Sequence, residues 1–181
     1  MGKQKKIILG VTASVAIYKA CELVRRLKDK GYALDVVMTE DSKEFIRPIL
    51  FESLAGSSVH SGLFTGPTSW DIEHVSLADK ADLVLIAPAT AHIIAKLAAG
   101  LCDDLLSCVV CATRAPVLIC PAMNENMFVH PITRQNIKKL ETAGYRFVQP
   151  RKGMLACGKE GAGCLAEVET IVKEVGKILA T

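Results

Sequence analysis

Residues 81–90 read ADLVLIAPAT. From Leu83 to Ala89 the run carries no charge, is too short for an ordinary helix, and is rich in Leu, Ile and Val. A strand that is apolar on alternate and intervening positions alike is buried on both faces. Burial on both faces demands a layer of helices on each side of the sheet. The neighbouring segments supply it. "KIILGVT" (6–12) and "ALDVVMT" (33–39) precede as strands; "APVLICPAM" (115–123) and the shorter "YRFVQP" (145–150) follow. Between them run helical patterns: "VAIYKACELVRRLKDKG" stopping at Gly31, "AHIIAKLAAG", "DDLLSCVVCAT", "PITRQNIKKLETAG" opening on Pro131, and the closing "EVETIVKEVGKILA". Strands separated by helices give a parallel sheet with right-handed crossovers, hence an α/β three-layer sandwich.

The 181 residues suit one domain, 1–181, without linker or repeat. Half the chain is apolar and 23% is charged, which excludes a disordered chain. The net charge is +3, and Lys3, Lys5 and Lys6 form the only basic cluster, so nucleic-acid binding has no support. The apolar run from Ile7 is too short for a signal peptide, and no stretch suffices to span a membrane. Seven cysteines without an export signal point to free thiols in a reducing, cytoplasmic setting. Cys108 and Cys111 have the spacing of half a metal site. No second pair accompanies them, so we expect core-packing thiols and no metal.

In such a sheet, ligands bind beyond the carboxyl ends of the strands. Those ends read "GVTASVA", "MTEDS", "APATAH" and "CPAMNEN", small and polar enough to leave room. The first turn carries Gly10 alone rather than a GxGxxG fingerprint, and Thr39 stands where a ribose-binding acid would. That argues for a mononucleotide over a dinucleotide. Ser14 at a helix start, with Thr39 and Ser42, can hold one phosphate; the same residues equally suit a plain strand-to-helix turn. After the fifth strand comes "GMLACGKEGAGC" (153–164), whose glycines suit neither helix nor strand and whose Cys157 rides on what reads as a flexible flap at about 150–165.

Three motifs, in order, carry a resemblance over nearly the whole chain: "HVSLADKADLVLIAPATA" with His74, "PAMNENM" with Asn124, and "LACGKEGAG" with Cys157. Together they resemble the homo-oligomeric flavin-containing cysteine decarboxylases. The resemblance implies a flavodoxin-like, Rossmann-like subunit, bound FMN, assembly into trimers, and decarboxylation of 4'-phosphopantothenoylcysteine to 4'-phosphopantetheine in coenzyme A synthesis. It places Ala13, Ser14 and Val15 at the flavin phosphate with Thr39 and Ser42 beside them. Thr90, Ala91, His92 and Ile93 approach the flavin ring, as do Ala122 and Met123. Asn124 and Met127 meet the substrate, Asn124 holding its carboxylate; Leu155 and Ala156 close over it. His74 and Cys157 are the catalytic pair. Two departures stand out: His92 replaces a usual asparagine, and Cys164 replaces an arginine found in many bacterial relatives. The ligase that makes the substrate would be a separate chain or lie outside this one.

The chemistry accounts for these residue types. A carboxylate leaves only if the carbanion has an electron sink. A flavin provides one by taking a hydride from the carbon next to sulfur, leaving a thioaldehyde. Carbon dioxide departs, and the enethiolate then needs a hydride back and a proton. A thiol on a closing flap supplies the proton, and a histidine trades protons near neutrality. Outside the motif, His74 could as well be a capping or interface residue, and Asn124 a turn residue or helix cap. Two alternatives are an oxidative decarboxylase of C-terminal peptidyl-cysteine, which needs no flap thiol, and a non-catalytic flavin-binding regulatory subunit. Cys157 argues against the first, and His74, Asn124 and Cys157 together argue against the second.

Overall fold

The computed structural model describes residues 4–63, 72–156 and 158–180. Strand β1 (Lys6–Val11) leads through a 3-10 turn at Val15–Ile17 into α1 (Tyr18–Asp29), and β2 (Ala33–Met38) follows. A second 3-10 turn, Glu40–Glu44, precedes α2 (Pro48–Ala55) and the two-residue β3 (Val59–His60). Helix α3 (Glu73–Lys80) runs into β4 (Leu83–Ala89); α4 (Ala91–Ala99) and α5 (Leu105–Ala112) separate it from β5 (Val117–Pro121). The short α6 (Glu125–Val129), α7 (Pro131–Thr142) and β6 (Arg146–Phe147) come next. A hairpin of β7 (Arg151–Met154) and β8 (Glu160–Cys164) precedes α8 (Val168–Leu179).

The six-stranded sheet is parallel, in the order β3-β2-β1-β4-β5-β6. Without the two-residue edge strand β3, this is the flavodoxin-like order, reversing direction between β1 and β4. Every residue of β4 is buried, as its composition demands. Leu83, Leu85 and Ala87 join one core with α1, α2 and α8; Val84, Ile86 and Ala89 join the other with α3, α4, α5 and α7. Helix α8 buries Val168, Ile171, Val172, Val175 and Ile178 along one stripe, the 3.6-residue spacing of a surface helix.

Helices α2 and α3, which carried no expectation, are eight residues each and bury two side chains apiece. One expectation changes. The pair Cys108 and Cys111 is not core packing: Leu105, Leu106, Val109 and Val110 take the buried face of α5, leaving Cys108 half-buried and Cys111 exposed. The expected flap region holds an antiparallel ladder of Arg151–Met154 and Glu160–Cys164, Lys152 opposite Ala162 and Gly153 opposite Gly161. Two of its glycines allow close contact, Gly163 with the Met123 backbone and Gly161 with the Glu125 side chain. No described helix is long and apolar enough to cross a membrane.

Candidate functional site

The carboxyl ends of β1, β4 and β5 are tied together by short hydrogen bonds. The buried Thr12 hydroxyl donates to Pro88 O at 2.8 Å and accepts from Thr90 N at 3.1 Å. Ser14 donates to Ala122 O at 3.2 Å while its oxygen accepts from Ala16 N at 3.3 Å, capping the turn that starts the α1 segment. Ala122 N donates to Ala89 O at 2.9 Å. Side chains that satisfy one another in this way fix the floor of the crevice at the point where strand order reverses. Gly10 serves packing rather than phosphate approach, since a Cβ there would lie 2.5 Å from Leu106 Cδ1.

Above this floor opens a cleft of about 500 Å³, inside the roughly 300–1,000 Å³ range of small-molecule sites. Ala13, Ser14, Val15 and Thr90 line one part of it, and Ala122, Met123, Asn124 and Met127 another. Leu155 and Ala156, from the hairpin, close the remaining side. The lining combines small residues, three hydroxyls, an amide, thioethers and two cations, suited to a flat aromatic ligand with a polar tail. Asn124 caps α6, its Oδ1 accepting from Asn126 N at 2.9 Å, so the cap reading is correct for one end of its amide.

The hairpin is held by its glycines. Met123 N donates to Gly163 O at 3.0 Å, and Ala162 N donates to Glu125 Oε1 at 3.0 Å. A Cβ at Gly163, whose φ is +150°, would stand 2.1 Å from Met123 O, and one at Gly161 would stand 2.6 Å from Glu125 Oε2. Only a residue without a side chain lets β8 lie this close to the loop carrying Met123 and Asn124.

Other expected residues fall elsewhere. Thr39 N donates to Val11 O, and the fully buried Ser42 hydroxyl donates to Thr39 O; neither lines the cleft. After Thr90, Ala91 and His92 begin α4 away from the lining, His92 exposed and the Ile93 side chain in the core. His74 stands half-buried in the first turn of α3 and does not line this cleft. Its neighbour Glu73 is held by His60, Nδ1 to Oε1 at 2.6 Å. Cys157 lies outside the described residues; the turn around it is pinned by Leu155 N to Lys159 O and Gly158 N to Leu155 O, both 2.9 Å.

Several lining residues had no sequence signal: Tyr18, Lys19, Arg151 and Met154, with Cys164 across the ladder from Arg151. Among the described residues no group of three metal-ligating side chains gathers. Burial, with help from the neighbouring Cys102 and Cys108 thiols, pushes the Cys111 thiol up to about 11, and burial alone raises Cys120 far above the usual thiol range. Neither is an activated nucleophile.

Residues 1–180 match the family model described as Flavoprotein. The chain is 42% identical over 180 residues to the coenzyme A biosynthesis bifunctional protein CoaBC of Bacillus subtilis, a match covering 99% of this chain and 44% of that protein. It therefore spans less than half the length of such relatives. It is 40% identical over 173 residues to a probable phosphopantothenoylcysteine decarboxylase of Streptococcus mutans, covering 94% of this chain and 97% of that one. A PPC decarboxylase mutant complexed with pantothenoylaminoethenethiol superposes with a TM-score of 0.88 at 27% identity, over 99% of this chain and 100% of that chain. The FMN-dependent cysteine decarboxylase SpaF superposes at 0.87 and 27%, over 98% of each chain.

Proposed function

The chain belongs to the Flavoprotein family, and from that premise we propose that it is an FMN-dependent decarboxylase of 4'-phosphopantothenoylcysteine, yielding 4'-phosphopantetheine for coenzyme A synthesis. The observation that carries the reading is a single cleft bringing Ser14, Thr90, Ala122, Met123, Asn124 and Met127 together with the hairpin residues Leu155 and Ala156.

The residues fit FMN: Ser14 and the turn it caps suit the phosphate, and Thr90, Ala122 and Met123 leave flat, uncharged space for the ring. When bound, FMN supplies the oxidising and reducing chemistry that makes loss of the carboxylate feasible. This chain does the rest. Asn124 lines the cleft with its Oδ1 fixed by the cap, which supports its role in holding the substrate's carboxylate. Leu155 and Ala156 exclude water as the hairpin settles. Cys157, between β7 and β8 in the sequence, gives the proton that completes the product. His74 takes or polarises the proton on the substrate's sulfur. It sits on α3 beside the exposed Ile72 and Val75, so we place it in the cleft of a neighbouring copy, the expected trimer forming through α3 and the α4–α5 segment. The exposed Leu101 belongs to the same surface. Free cysteines fit a cytoplasmic setting, and a separate ligase would deliver the substrate.

The test is direct. Purified protein should release FMN on denaturation and convert the substrate to phosphopantetheine with loss of carbon dioxide. A protein that cannot be loaded with FMN, or that oxidises only peptides ending in cysteine, would overturn the reading.

A further inference from the structure

Among the described residues lining the cleft, Lys19 and Arg151 are the cations and none is acidic. A wall of one charge sign in a confined space selects an anionic ligand. The two come from different elements, α1 and the first position of β7. Both lean on one carboxylate ahead of α8: Glu167 Oε1 is 2.7 Å from Arg151 Nε, and its Oε2 is 3.9 Å from Lys19 Nζ. Glu167 is 60% exposed, so water screens both pairs and an incoming anion can take its place.

Arg151 is incompletely used. One terminal nitrogen donates to Lys152 O at 3.2 Å, but Nε is buried and makes no hydrogen bond despite its closeness to Glu167. A guanidinium carries five donors in a planar fork that matches a phosphate bidentately. The fork's place is fixed by the ladder. Arg151 pairs in register with Cys164, whose thiol donates to Met154 O at 3.4 Å. The intervening Gly153 leaves the space the guanidinium occupies, since a Cβ there would lie 2.5 Å from the Arg151 terminal nitrogen Nη1.

We propose that Arg151, supported by Lys19, binds the phosphomonoester of the substrate and is the residue that selects phosphorylated over unphosphorylated pantothenoylcysteine. The inference rests on the decarboxylase reading above. Arg151 stands on the same hairpin as Leu155 and Ala156, so the phosphate and the residues that close over the substrate share one element. The cofactor's phosphate has its own partners around Ser14. Position 164 then needs no cation, because its cross-strand neighbour provides one.

The experiment compares FMN-loaded wild type, Arg151→Gln and Arg151→Lys on 4'-phosphopantothenoylcysteine and on pantothenoylcysteine, with FMN retention measured on each protein. For Arg151→Gln, KM for the phosphorylated substrate should rise on the order of ten- to a hundredfold, the worth of a charge-assisted bidentate contact. KM for the unphosphorylated substrate and FMN retention should stay within about twofold. Arg151→Lys should recover part of the loss, and calorimetry should show the same discrimination between phosphopantetheine and pantetheine. Equal effects on both substrates, or none, would overturn the assignment, and so would loss of FMN from Arg151→Gln. Wild type that turns over both substrates without preference overturns the assignment alone. Wild type that turns over neither overturns the decarboxylase reading with it.

Discussion

Replacing Gly163 by alanine tests whether the hairpin acts as a docked, separable unit. The added Cβ would sit 2.1 Å from Met123 O, at a φ of +150° that residues with side chains rarely adopt. The same pair of residues shares the hydrogen bond from Met123 N to Gly163 O. Relief requires the two backbones to part by about 1 Å, and at that separation the bond is lost. Strained backbone costs roughly 1–3 kcal/mol and the lost bond about 1 kcal/mol. The sum, about 2–4 kcal/mol, is a factor of roughly 30 to 1,000 in the docked-to-undocked ratio of the hairpin. The hydrophobic core would be little disturbed, since β8 contributes none of the fully buried large side chains. We therefore expect kcat/KM to fall by at least tenfold, faster amide exchange across 151–164, and a Tm within about 2 °C of wild type. Were the same energy taken from global stability, Tm would drop by roughly 4–16 °C in a domain of this size. Gly158→Ala is the control: its φ of +77° brings backbone strain of its own, but nothing lies within 4 Å of the added carbon, so the Met123–Gly163 bond should survive and the loss should be smaller. A large Tm drop with unchanged exchange in the hairpin, or Gly163→Ala with wild-type kinetics, would refute the reasoning.

Cys157→Ser should still release carbon dioxide but stop short of full reduction, so mass spectrometry should find an enethiol two hydrogens lighter than phosphopantetheine; normal product would remove the proton-donor role. His74→Asn should release no carbon dioxide, and mixing it with an Asn124→Ala protein under conditions of subunit exchange should restore activity if the cleft is shared between copies. An active, stable monomer by light scattering would rule that sharing out. Asp104 caps α5 and pairs with the buried Lys96. Burial alone would raise its carboxyl, but the Lys96 ammonium and bonds from Ser107 hold it below the usual range. A lowered carboxyl contributes stability above its unfolded pKa and loses it as pH falls through the folded value. Asp104→Asn, which keeps the cap acceptor and removes the charge, should lower Tm at pH 7 and converge with wild type only as pH falls through the lowered folded-state pKa of Asp104.

The sheet was legible because β4 needs two apolar faces and the sequence gives it nothing else. Its strand-end residues were legible for the complementary reason: small and hydroxylic side chains at 13–14, 90 and 122 have no place in a packed core and so mark a crevice. The hairpin was not. Its ladder gains little from β-propensity and depends on contacts that glycine permits, Gly163 against Met123 O and Gly161 against Glu125, both remote in sequence. Local reading sees four glycines and infers slackness; tertiary proximity turns two of them, Gly161 and Gly163, into fit. The outward turn of Cys108 and Cys111 escaped for a related reason, since the one polar residue of α5, Ser107, is buried with the Asp104 cap and so misleads about which side faces solvent.

Arg151 was illegible on another account. A basic residue in a polar, glycine-rich run is ordinarily a solvated charge, and nothing in 151–154 marks it otherwise. It acquires meaning only through the register that sets it opposite Cys164 and through Glu167, which brings Lys19 from α1 to the same corner. Chemistry built from local motifs, such as Asn124 at its cap, is readable along the chain. Chemistry built from cross-strand and cross-layer pairing is readable only once the fold has fixed which residues meet. The binding of the substrate's far end is of the second kind, so a cation can change position on the hairpin while the motif residues stay where they are.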